Sequence, residues 1–111
     1  MSTRRDSRPR RLRGLPRAEV GGRRVPVATS GRARLLGLSL LNRRRAGPGL
    51  LIPGCRSVHT FGMRFPLDLL FLDFDLMPVS LRRAVRPRRV VFERRAQAVL
   101  ELPAASIVED G

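Results

Sequence analysis

Glycine and proline divide this chain into short pieces, and that division limits its fold more than any other feature. Gly47-Pro48-Gly49 interrupts the middle of the sequence, Pro53-Gly54 stops Leu50-Leu51-Ile52, and Pro103 closes the run from Ala96 to Leu102. Between these stops lie brief apolar runs: Leu67 to Phe74, Val79-Ser80-Leu81 and Val90-Val91-Phe92, with Ile107-Val108 as a candidate last strand. Such runs are too short for buried helices and suit strands joined by tight turns. Upstream the period changes. Leu35, Leu38 and Leu41 recur every three residues, with Leu36 and Leu40 widening the stripe, and Thr29 or Ser30 is placed to cap the N-terminus. This spacing predicts one amphipathic helix from Arg32 to about Arg43, weakened by Gly37 and ended by Arg43-Arg44-Arg45 at the negative end of its dipole. The predicted fold class is mainly β: a small antiparallel sandwich or partly open barrel with one short helix.

At 111 residues the chain has room for one domain. Residues 1–24 hold nine Arg and two acids with scattered Gly, Pro and Leu, and are expected to form a basic, disordered arm. Residues 25–111 are then the single β-rich domain. Val25-Pro26-Val27-Ala28 reads as a short strand that Pro26 confines to an edge or a strand start. Four of the five Phe lie between Phe61 and Phe74, which marks that region as the expected centre of the core.

The net charge is +14, and all 23 basic residues are Arg. Absence of Lys fits a bias toward GC-rich codons, so the Arg count alone does not argue for bidentate anion recognition. The charge is concentrated in the first 66 residues, since residues 67–111 balance seven Arg against seven acids. This field attracts nucleic acid, anionic surfaces or acidic proteins without specifying any of them. A single Cys excludes an intrachain disulfide, and no apolar stretch has the length of a membrane span or the form of a secretory signal. A cytoplasmic location is the resulting expectation.

Cys55 and His59, the only residues of their kinds, lie in CRSVHTFGMRFPLD. An imidazole near a thiol favours the thiolate nucleophile. Here a four-residue spacing falls among strand and loop signals rather than on a helix, so the expected role of Cys55 is a buried, unreactive side chain. A zinc site needs more ligands than this pair provides, and no metal or cofactor is expected. Asp73 and Asp75 could start a hard-cation site, but turn formation at a hairpin tip is the simpler role. His59, Thr60, Met63, Arg64 and Asp68 form a mixed polar and soft group beside apolar runs. Their first expected task is to satisfy backbone groups, with Asp68 pairing with Arg64 or capping the start of the strand. Their second is to line a shallow cleft for a small ligand or peptide.

The order of these pieces resembles a known family. Arg34 to Leu38, Gly49 to Leu51, His59-Thr60 with Met63, Pro66-Leu67-Asp68, Phe71-Leu72-Asp73, Pro87 and Val99 to Leu102 together resemble domain of unknown function 192 from about Gly31 onward. The resemblance implies a compact, mostly β domain with one helix and no established enzymatic activity. Relatives usually have Gly where this chain has Leu76 and Ala105, so a positive φ at either position would cost roughly 1 kcal/mol or more. The expected function is a non-catalytic binding or accessory domain acting on a protein or small ligand. An alternative is nonspecific nucleic-acid or anionic-surface binding through the Arg-rich arm, which has no aromatic residue for stacking. A Cys/His enzyme lacks an evident orienting acid and oxyanion donors.

Overall fold

The computed structural model describes residues 10–104. Chain order runs from a 3-10 turn at Arg10–Leu12 to β1 (Arg17–Val20), β2 (Arg23–Pro26), α1 (Gly31–Leu36), α2 (Arg43–Ala46) and β3 (Leu50–Pro53). It continues through β4 (Ser57–His59), β5 (Leu67–Leu72), β6 (Pro78–Val85), β7 (Val90–Phe92) and β8 (Ala98–Pro103). Eight strands form a four-stranded antiparallel sheet of order β3-β8-β5-β6 and two antiparallel pairs, β1-β2 and β4-β7. None of these sheets closes into a barrel.

Alternation along the strands sorts the core into two layers, because successive side chains in a strand face opposite ways. Leu50, Ile52, Leu67, Leu69, Phe71 and Val99 face one side, where residues of the helical region and of β4 and β7 cover them. Leu51, Leu72, Ala98 and Leu100 face the other, under Val20 and Val25 of the β1-β2 hairpin. The sheet is covered on both faces, which is why β5 and β8 read as nearly continuous apolar runs.

Part of the expected arm is folded. Residues 10–24 carry the 3-10 turn and the hairpin, and Leu12 is buried in the main core. Arg11 secures the turn by donating from Nε to Gly37 O at 3.2 Å and from Nη2 to Ser39 O at 2.6 Å. These carbonyls follow the end of α1, so the guanidinium occupies acceptors that a helix end leaves open. Gly21 and Gly22, with φ of 57° and 80°, provide the backbone for the tight β1-β2 turn. Residues 1–9, the candidate strand Ile107-Val108 and Ala105 lie outside the described residues.

The single expected helix is two. Ser30 caps α1 by accepting from Ala33 N at 3.0 Å, but the helix ends at Gly37, whose φ of 53° leaves the helical region. Asn42 then caps the four-residue α2 by accepting from Arg45 N at 2.9 Å. The aromatic expectation also divides: Phe65 and Phe71 are buried, whereas Phe61 and Phe74 are 51% and 82% exposed. Phe74 lies in the β5-β6 turn, where Asp73 Oδ1 accepts from Asp75 N and Met77 N at 2.8 and 3.0 Å. Leu76 in that turn has a φ of 62°, the conformation for which glycine is the low-cost residue.

Candidate functional site

A cleft opens on the helix-covered side of the sheet, between the end of α1 and the segment leading into β4. Its closed end has a cavity of about 40 Å³ among Gly37, Leu38, Val58, His59, Met63 and Glu101. That space accommodates water or the tip of a small group. A wider recess of about 470 Å³ continues outward to Gly54, Arg56 and Gln97. Arg34, Ile52, Cys55 and Ser57 line both parts, so the two share one wall.

Glu101 is the chemically unusual group. Strand alternation places it on the same face of β8 as Val99, facing the main core, and only 5% of the residue is exposed. Leu38 N–H donates to the carboxyl. Among the described residues Oε1 has no hydrogen-bond partner, and it lies beneath Gly37, where an added Cβ would come within 2.8 Å. Burial pushes the Glu101 carboxyl up to about 7, partly offset by the Leu38 N–H bond. This side of the cleft therefore changes charge near neutral pH.

Cys55 is half-buried, and its Sγ donates to Ser57 O at 3.1 Å. Burial pushes its thiol up, and the neighbouring Glu101 carboxyl acts in the same direction. A backbone hydrogen bond with Ser57 and the charge of Arg34 act the other way, but burial prevails and disfavours the thiolate, the state a cysteine nucleophile requires. Among the described residues, no group of three or more His, Cys, Asp or Glu side chains is arranged to hold a metal ion.

The five residues singled out from sequence separate into four places. His59 and Met63 line the closed part of the cleft, although His59 is exposed at the end of β4 and its ring also lies 6.1 Å from that of Phe61. Thr60 is fully buried and serves the loop before β7. Its Oγ1 donates to Arg86 O at 2.7 Å and accepts from Arg89 N at 2.8 Å, while its backbone N–H donates to Arg89 O at 2.8 Å.

Asp68 does not pair with Arg64. At a bulge in the β5-β6 ladder its Oδ1 accepts from Ala84 N at 2.8 Å. Ala84 has a φ of 50°, and the extra residue of a bulge leaves its N–H without a ladder partner. Asp68 is therefore a bulge support, and Arg64 is exposed outside the cleft lining. Sequence reasoning missed Arg34, Gly37 and Glu101 as cleft residues. The available signal was Glu101 itself, an acid amid Ala98-Val99-Leu100 and Leu102 in a run too apolar for an exposed strand.

No curated protein matches the chain. Its fold is similar to a candidate transcription regulator from Sinorhizobium meliloti, with 24% identity, a TM-score of 0.58 and coverage of 79% of this chain and 78% of that chain. It is also similar to a protein of unknown function from Novosphingobium aromaticivorans, with 15% identity, a TM-score of 0.58 and coverage of 95% and 89%. At these identities the likeness is one of fold. Family membership rests on a separate match: residues 16–111, nearly the whole chain, match the family described as Uncharacterized ACR, DUF192, and the protein belongs to it.

Proposed function

We propose that this protein is a non-catalytic binding domain whose cleft takes a small ligand with an acidic group. The observation that carries this reading is the wall shared by the two recesses, which makes one cleft with cationic side chains at its wider end. Arg34 and Arg56 each use one N–H on a backbone carbonyl, Pro53 O and Ala96 O respectively. A guanidinium has five N–H donors, leaving others for a carboxylate or phosphate. The narrow end, with Met63, Leu38 and the exposed His59, suits a compact apolar or hydrogen-bonding tail.

Binding without catalysis is supported by Cys55, whose thiol is pushed by burial away from its reactive form.

Thermal unfolding in the presence of acetate, succinate, citrate or inorganic phosphate tests the proposal. A ligand that binds the folded chain raises the melting temperature with concentration. At least one of these acids is expected to do so in the parent and in Asp68→Ala, but not in Arg34→Ala. No shift with any of them, or an undiminished shift in Arg34→Ala, would overturn the reading.

A further inference from the structure

The β4-β7 pair has one face in the core and one in solvent. Its register sets Val58 opposite Val91, both buried, and places His59 opposite Val90 and Ser57 opposite Phe92 on the outer face. Val90 and Phe92 are 66% and 60% exposed, and His59 is also exposed. Phe61 extends this surface beyond β4, with its ring tilted 41° to that of His59 at a centroid distance of 6.1 Å. Leu40, exposed and held by its N–H to Gly62 O at 2.7 Å, borders the same end. A strand that buries one face ordinarily presents polar side chains on the other. Here, three rings and a valine remain in water.

Arginine predominates in the segments that carry this face, and the acids next to them, Asp68 and Glu93, are engaged with Ala84 N and Arg95. The segment 54–67, which contains β4, has Arg56 and Arg64 and no acid. The segment 76–92, which contains β6 and β7, has Arg82, Arg83, Arg86, Arg88 and Arg89 and no acid. Thr60 fixes the 86–89 loop beside the end of β4 through the bonds described above, so Arg86, Arg88 and Arg89 are carried next to the rings on an anchored loop.

We infer that the outer face of the β4-β7 ribbon binds single-stranded nucleic acid, with His59, Phe61 and Phe92 as stacking positions and the flanking arginines as phosphate contacts. Complementary charge and exposed rings argue for this occupant. Unpaired bases present flat faces for stacking and a phosphate chain for the arginines, whereas a duplex hides its base faces. This surface shares His59 and Arg56 with the rim of the acidic-ligand cleft but turns Phe61, Val90 and Phe92 away from it, and it differs from the N-terminal arm in having aromatic residues for stacking.

Fluorescence anisotropy with full-length protein tests the assignment. Labelled oligo-dT and oligo-U are compared with a duplex of equal length, and anionic vesicles serve as a competing surface. Single strands are expected to bind at least about tenfold more tightly than duplex, with Phe61→Ala/Phe92→Ala removing that preference because ring stacking contributes strongly to single-strand affinity. Arg86→Ser/Arg88→Ser is expected to weaken all nucleic acids and to lower the salt slope by up to about 0.7 per lost phosphate contact on single strands. Melting curves check that these exposed substitutions preserve the fold. Equal binding to duplex and single strand, insensitivity to the ring substitutions, binding to vesicles alone, or no binding would each overturn the inference.

Discussion

Glu101 shows how one side chain can control the response of a small core to pH. Its carboxyl is buried on the core face of β8 and pushed up to about 7, above the usual carboxylate range. Between that range and about pH 7, the folded chain holds a proton that the unfolded chain has lost. Stability therefore falls as pH rises through this window, and the penalty is fully present above it. Glu101→Gln retains the shape without the charge. It is expected to stabilise the protein by up to about 3 kcal/mol at pH 8 and much less near pH 4.5, a difference measurable by urea unfolding at the two values. A pH-independent effect would place the carboxyl in a different environment. Leu76 is a different kind of residue-scale feature: it has a positive φ where relatives usually have glycine, so the chain carries that backbone strain in a turn secured by Asp73.

Individual elements depend on contacts distant in sequence. The 3-10 turn at Arg10–Leu12 is too short to be stable alone, and it is held by Arg11 at the end of α1 and by Leu12 in the core. Leu12→Ala is expected to cost about 2–5 kcal/mol, the usual range for truncating a buried leucine. A change in denaturant midpoint equivalent to less than about 0.5 kcal/mol would instead match a solvated surface position. Strands such as β3, β5 and β8 were legible because Pro and Gly bound apolar runs that their two-sided burial explains. The β1-β2 hairpin was obscured by neighbouring arginines. Its local signal was the Gly21-Gly22 pair, and the burial of Val20 and Val25 becomes evident only with the sheet beneath them. The helix was predicted too long because leucine spacing continues through Gly37, whereas the backbone turns there to fit over Glu101. Cleft composition was less legible than strand position: His59 and Met63 share a segment, but Arg34 and Glu101 meet them only when α1 and β8 pack together.

At the scale of the whole molecule, a net charge of +14 opposes compaction. Like charges raise the free energy of a compact state more than that of an expanded one, and salt screens that repulsion. The melting temperature is therefore expected to rise as ionic strength goes from about 10 to about 150 mM, over which the Debye length falls from about 30 to about 8 Å. A fall over the same interval, measured by calorimetry, would show that favourable ion pairs outweigh the repulsion. No described helix is long and apolar enough to cross a membrane.

The sheet order also bears on how the chain matures during synthesis. β8 fills the position between β3 and β5, although every other described strand precedes it. A ribosome releasing the chain from its N-terminus leaves β3 and β5 without their shared neighbour until residues 98–103 emerge. During that interval two apolar strands have open edges, the condition under which nascent chains recruit chaperones or pair with one another.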